Sequence, residues 1–113
     1  GGWTGHEGLA IAVYFAVKHS NSFENAIVSS VNHSGDSDST GAICGNIMGA
    51  LLGRNAIPEY YTKDLELLDI IEEMAEDLFT GCIISEYMER DTPETRRWFE
   101  KYSLFKWTPK YNR

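Results

Sequence analysis

The chain has 113 residues, enough for one domain with a modest core, and 42% hydrophobic and 24% charged residues argue against a disordered polypeptide. A net charge of −7 speaks against unaided nucleic-acid binding, and 13 of the 17 carboxylates but only 3 of the 10 lysines and arginines fall within residues 1–88. The longest apolar run, Leu9 to Val17, is too short to span a bilayer and no basic segment opens the chain, so the expectation is a cytoplasmic protein with no membrane partner.

Gly1-Gly2-Trp3-Thr4-Gly5 reads as a loop, with Thr4 placed to cap a helix that begins near Gly5. His6 to Lys18 is then helical. Its apolar residues, interleaved with Ala10, Ala12 and Ala16, go all round the cylinder, which predicts a buried helix. His19-Ser20-Asn21-Ser22 breaks the pattern, and Ser22 is a good N-cap for a helix over Phe23–Val31. A third helix is predicted from about Ser39 to Leu52, ending at Gly53. Within it Gly41, Gly45 and Gly49 form a stripe that a neighbouring helix can approach closely.

Ile57-Pro58-Glu59 starts a short helical turn. A longer amphipathic helix follows, with Ile71, Met74, Ala75, Leu78 and Phe79 on its apolar face and Glu72, Glu73, Glu76 and Asp77 on its wet face; Ile83, Ile84 and Tyr87 extend it past Gly81. Thr92-Pro93-Glu94 starts another helix, with Trp98, Phe99 and Tyr102 as its aromatic face. Phe105 to Tyr111 reads as an irregular tail whose aromatics pack on the body. Cys44 and Cys82 sit in apolar surroundings without zinc-like spacing, which predicts buried free thiols. No segment reads as a strand, so the predicted fold class is all-α, with residues 1–88 as the body and 89–113 as a C-terminal helix and tail.

One stretch carries chemistry: Asn32-His33-Ser34-Gly35-Asp36-Ser37-Asp38-Ser39-Thr40-Gly41. An EF-hand loop starting at Asp36 fails, because its twelfth position is Ile47 where a bidentate Glu is needed. An aspartyl-phosphate phosphatase needs a strand before the first Asp, and here a helix end precedes it. Two readings stay open. Asp36 and Asp38, with the Ser39 hydroxyl, offer hard oxygens to Mg²⁺ at a helix N-terminus. Alternatively, one Asp merely caps the third helix. His33 reads as a helix-end residue or as a neighbour that supports the motif.

Gly35-Asp36-Ser37-Asp38-Ser39-Thr40-Gly41-Ala42-Ile43-Cys44-Gly45-Asn46 resembles the C-terminal signature of the ADP-ribosylglycohydrolase family. Gly2-Trp3-Thr4-Gly5-His6-Glu7 resembles the family segment upstream of that motif, and Leu65-Glu66 leading into Ile71–Leu78 resembles its final helix. The resemblance covers roughly residues 1 to 80. It implies a fragment of an orthogonal all-α bundle with a binuclear magnesium centre, in which Asp36, Asp38 and Ser39 are metal ligands; Mn²⁺ is an alternative cation. Trp3, Gly5, His6 and Glu7 would line the substrate cleft, with the alternatives that Trp3 simply packs and Glu7 simply favours a helix start. The implied reaction is hydrolysis of the bond between ADP-ribose and an acceptor such as arginine.

Relatives also carry a Thr-Asp-Asp-Thr type motif in an N-terminal portion, and this sequence has none. No catalytic residue is therefore assigned. The chain is expected to be inactive alone and to need a separately encoded N-terminal portion, or else to self-associate through its open apolar faces. The alternative is a non-catalytic remnant that serves as an interaction module.

Overall fold

The computed structural model describes residues 1–81 and 91–105, and every regular element among them is helical. Helix α1 spans Gly5–Lys18, α2 Phe23–Val31 and α3 Ser37–Leu52. Single 3-10 turns follow at Arg54–Ala56 and Glu59–Tyr61, then α4 over Leu68–Thr80 and α5 over Pro93–Tyr102. The chain divides into two compact units, Gly1–Leu65 and Glu66–Arg113. No helix among the described residues is long and apolar enough to cross a membrane. The expectations for Cys82, for a helix continuing through Ile83, Ile84 and Tyr87, and for the tail after Phe105 lie outside the described residues.

In the first unit α3 packs on both α1 and α2, and α1 also touches α2. The core is built from small side chains: Ala12 and Ala16 of α1, Ala26 of α2, and Cys44 and Met48 of α3, ringed by Phe23, Ile27, Ile43 and Ile47. Gly8, Ala12 and Ala16 repeat every fourth residue, so α1 presents a shallow stripe to its neighbours. The glycine stripe of α3 works at two of its three positions. A Cβ at Gly41 would lie 2.7 Å from Val31 Cγ1 and one at Gly45 3.6 Å from Ile27 Cδ1, whereas Gly49 has nothing within 4 Å. Cys44 is a buried free thiol, and burial pushes its pKa up, which keeps it protonated and unreactive.

The helix starts follow local capping chemistry. The Ser22 hydroxyl accepts from Asn25 N–H at 3.3 Å, and Gly53 ends α3 with φ +81°, a conformation that suits glycine. Helix α3 begins two residues before the predicted Ser39. Thr4 precedes α1 in extended conformation, but its side chain makes no capping bond.

Two expectations about burial are corrected. Helix α1 is not buried all round: Leu9 is 51%, Tyr14 59% and Val17 72% exposed. Helices α2 and α3 cover one stripe of α1 and leave its other sides without a second layer. In α4 the acidic wet face is only partly wet. Lys101 Nζ of α5 lies 2.5 Å from Glu73 Oε1, and both Lys101 and the Tyr102 hydroxyl hydrogen-bond Asp77. The apolar side of α4 is open instead, with Leu78 and Phe79 largely exposed. Helix α5 starts as read, through a reciprocal Thr92/Thr95 capping box and Pro93 in the first turn.

Candidate metal centre

Helix α2 ends at Val31 and α3 starts at Ser37, so residues 32–36 form a short link that turns the chain between two packed helices. Thr40, one turn into α3, anchors this link. It is fully buried, and its hydroxyl donates to the Ser30 carbonyl at 2.7 Å. Having spent its proton there, it accepts from His33 Nε2 at 2.9 Å, which places a proton on that nitrogen. The Thr40 hydroxyl also lies 3.1 Å from the Asp36 carbonyl one turn earlier. One buried hydroxyl thus ties the last turn of α2, the His33 ring and the first turn of α3 together.

The segment before α1 lies against the same link. Asp36 N–H donates to the Gly1 carbonyl at 3.4 Å. The approach is so close that a Cβ at Gly35 would sit 1.8 Å from that carbonyl oxygen, and a Cβ at Gly2 would sit 3.3 Å from Thr40 Cγ2. Gly2, with φ +89°, donates its N–H to Glu7 Oε2 at 3.2 Å. Glu7, in the first turn of α1, thus ties the preceding glycine segment to that helix. Its carboxyl is held below the ordinary range, chiefly by the Thr4 backbone amide, with the Thr4 side chain and Gly2 N–H adding to the effect.

Asp36 stands at the N-cap of α3 yet makes no side-chain capping bond. Hydrogen bonding with the Asp38 side chain, then with the Ser39 hydroxyl and the Ser39 backbone amide, holds its carboxyl below the ordinary carboxylate value against the opposing effect of burial. Asp36 is partly buried, while Asp38 and Ser39 are exposed. Asp38 Oδ1 accepts from Ser39 N–H at 2.9 Å, so the hard-oxygen groups of Asp36, Asp38 and Ser39 stand side by side in sequence at the positive end of a 16-residue helix. The donor set fits a Mg²⁺-type ion, which tolerates few protein ligands and keeps several waters. Among the described residues no cluster of three or more His, Cys, Asp and Glu side chains forms a self-sufficient metal cage. Thr40, beside Ser39, turns its hydroxyl into the core and is not available to the same centre.

Gly5 opens α1, Glu7 is engaged with backbone amides, and His6 is exposed with Nε2 3.4 Å from the Thr4 hydroxyl. Trp3 is 73% exposed, so its ring is not packed into the unit. The pairing of His33 with Thr40 and the contact of Gly1 with Gly35 join residues far apart in the reading of the sequence. Only the polar run around Asp36 hinted at them.

Comparison with known proteins gives the geometry its family context. A profile of the ADP-ribosylglycohydrolase family matches residues 1–86. The "ADP-ribosylhydrolase ARH1" of Dictyostelium discoideum is 40% identical over 78 residues, which is 69% of this chain and 20% of that protein. The "ADP-ribosylarginine hydrolase Tri1" of Pseudomonas putida is 34% identical over 68 residues, 60% of this chain and 18% of that protein. Its namesake in Serratia proteamaculans is 37% identical over 68 residues, 60% of this chain and 19% of that protein. The chain thus spans about a fifth of the length of these curated relatives. No solved structure matches it at comparable significance. On the match over residues 1–86, the chain belongs to the ADP-ribosylglycohydrolase family.

Proposed function

We propose that this chain is the C-terminal part of a Mg²⁺-dependent ADP-ribosylglycohydrolase, and that it contributes one half of a two-metal centre. The remaining ligands would come from polypeptide outside these 113 residues, so the chain alone is inactive. The observation that carries this reading is the arrangement of Asp36. Asp36, at the N-cap, faces Asp38 and Ser39 of the first turn, which brings two carboxylates and a hydroxyl to one helix start where a cap needs a single side chain. Asp36, Asp38 and Ser39 would hold the cation, with Mn²⁺ as a substitute.

The reaction is hydrolysis: the bond from the anomeric carbon of ADP-ribose to its acceptor breaks, a bond to water oxygen forms, and the acceptor leaves with a proton. Arginine is the acceptor favoured by the names of the Pseudomonas and Serratia relatives. A bound cation would supply Lewis-acid polarisation and a template for the ribose hydroxyls. The protein's own contribution is orientation. Thr40 and His33 fix the first turn of α3, and Gly1 and Gly2 brace it from the other side. Trp3, Gly5, His6 and Glu7, on the segment that touches this turn, are the residues proposed to face substrate.

The test is hydrolysis of ADP-ribosyl-arginine in Mg²⁺ by the chain with and without the Dictyostelium relative from which the matched 78 residues are deleted. Turnover that needs both pieces and is lost in Asp38→Ala is expected. Equal turnover by wild type and Asp38→Ala would refute the metal assignment. No turnover under any combination would favour a non-catalytic interaction module.

A further inference from the structure

We infer that α4 and α5 together form a binding site for a free α-amino acid with a large apolar side chain. The inference does not rest on the proposed glycohydrolase centre, since α5 starts at Pro93, after the family match over residues 1–86. Both helices lie in the second compact unit. Two cavities open on this pair. One, of about 270 Å³, is lined by Met74, Asp77, Leu78, Gly81, Trp98 and Tyr102 and is almost wholly apolar. The other, of about 160 Å³, is lined by Asp77, Glu94, Arg97, Trp98 and Lys101. Trp98 and Asp77 belong to both, so an apolar slot and a charged slot share a wall. Drug-sized ligands take cavities of about 300–1,000 Å³, and slots smaller than these suit a ligand of amino-acid size.

The charges select the ligand. Asp77 is engaged by Lys101 and the Tyr102 hydroxyl, and Lys101 also reaches Glu73 Oε1 at 2.5 Å. Those bonds hold α5 against α4 and fix Tyr102, whose ring centroid lies 4.9 Å from that of Trp98. Glu94 and Arg97 differ. Both line the charged slot, yet neither side chain has a partner among the described residues. At a spacing of three on α5 their Cβ atoms are about 5–6 Å apart, a separation at which opposite charges on a helix readily pair. Here they stand open beside the Trp98 indole. A ligand with an ammonium and a carboxylate on one carbon answers both: its carboxylate takes the Arg97 guanidinium and its ammonium takes Glu94. Its side chain then lies along the indole and enters the apolar slot. A simple anion would satisfy Arg97 and face Glu94, and a simple cation the reverse. A peptide terminus carries only one of the two charges.

The experiment titrates L-phenylalanine into the full 113-residue chain and follows the indole N–H signals by NMR, with Trp98→Phe to assign the Trp98 signal. That signal should move with a Kd of about 1–10 mM. L-phenylalaninamide lacks the carboxylate and N-acetyl-L-phenylalanine lacks the ammonium, and each should bind about tenfold more weakly. Arg97→Gln should weaken L-phenylalanine about tenfold and leave the amide unchanged, whereas Glu94→Gln should weaken it similarly and leave the N-acetyl compound unchanged. Both side chains are exposed, so helical circular dichroism should not change. No movement of the Trp98 signal by about 50 mM, equal affinity for the three compounds, or undiminished binding by either folded variant would overturn the inference. So would a preference for the amide or for the N-acetyl compound, which would mark a site for a peptide terminus instead. The comparison of ligands needs only the wild-type chain, so the test holds if a variant fails to fold. Binding is read without Mg²⁺ and without turnover, so failure of the proposed activity leaves its outcome untouched.

Discussion

Thr40 shows how one buried hydroxyl can organise a site whose reactive groups lie on the surface. Its proton goes to the Ser30 carbonyl, and its lone pair receives His33. Thr40→Val keeps the shape, removes both bonds and strands the His33 Nε2–H. The expected cost is about 1–3 kcal/mol, read as a lower urea midpoint at unchanged slope, while Thr40→Ser should lose about 1 kcal/mol or less. Glycines give a second contrast. At Gly35 a methyl group would collide with the Gly1 carbonyl, so Gly35→Ala must push the N-terminal segment off the start of α3. That should destabilise by about 1–3 kcal/mol. At Gly49 nothing lies within 4 Å, and Gly49→Ala should stabilise by about 0.5–1 kcal/mol through helix propensity alone. If both changes had the same sign in urea unfolding, the close approach at Gly35 would not be a determinant of this fold.

Among the elements, what was legible in the sequence was whatever chemistry is local. Ser22, Gly53 and Thr92-Pro93 mark helix ends because a cap satisfies its own first or last turn. The Asp36-x-Asp38-Ser39 spacing was legible for the same reason. The contact of Gly1 with Gly35 was not, because nothing in a glycine says which backbone will approach it. The burial of α1 was misread because periodicity reports that a helix is apolar, not what covers it. The acidic face of α4 was misread because its partners lie on α5: Lys101 is 24 residues from Asp77.

That cluster predicts a pH profile. Burial alone would raise the Asp77 carboxyl, but the hydrogen bonds from Lys101 and Tyr102 and the lysine charge outweigh it and hold the group below its ordinary value of 3.8. A depressed acid contributes stability that is present above the unfolded value and lost as pH falls through the folded one. Lys101 runs the other way. Burial lowers it, yet Asp77 and Glu73 raise it above 10.5, so its contribution is complete below 10.5 and lost as pH rises through the folded value. The α4–α5 pair should therefore be flat through neutral pH and weaken on both flanks. Lys101→Met should cost about 1–3 kcal/mol, between the values for exposed and buried pairs. It should also move the Asp77 titration, followed by its carboxyl carbon shift, to higher pH. An unmoved titration would show that Tyr102 alone sets the Asp77 carboxyl.

At the scale of the whole molecule, the fold and the proposed centre are linked through stability. The first unit is held by a core of three alanines, a cysteine and a methionine, with much of its remaining apolar surface open. Such a unit responds measurably to any ligand that binds only its folded state. The response is RT ln(1 + [L]/Kd), or about 0.4 kcal/mol when the free cation equals Kd and about 2.7 kcal/mol at a hundred times Kd. Two carboxylates and one hydroxyl leave most of an octahedral shell to water, so the lone chain should bind Mg²⁺ with a Kd of about 5 mM or weaker. At about 5 mM Mg²⁺ its Tm should then rise by no more than about 3 °C, at about 4–8 °C per kcal/mol for a domain of this size. Asp38→Ala should remove that rise. In the complex with the truncated Dictyostelium relative, where a second ligand set meets the first, the same cation concentration should give at least three times the shift. A large shift in the lone chain would mean that these 113 residues hold a complete site. No shift in a complex that has formed would mean that Asp36, Asp38 and Ser39 do not hold a cation, and that their convergence at the start of α3 serves the fold.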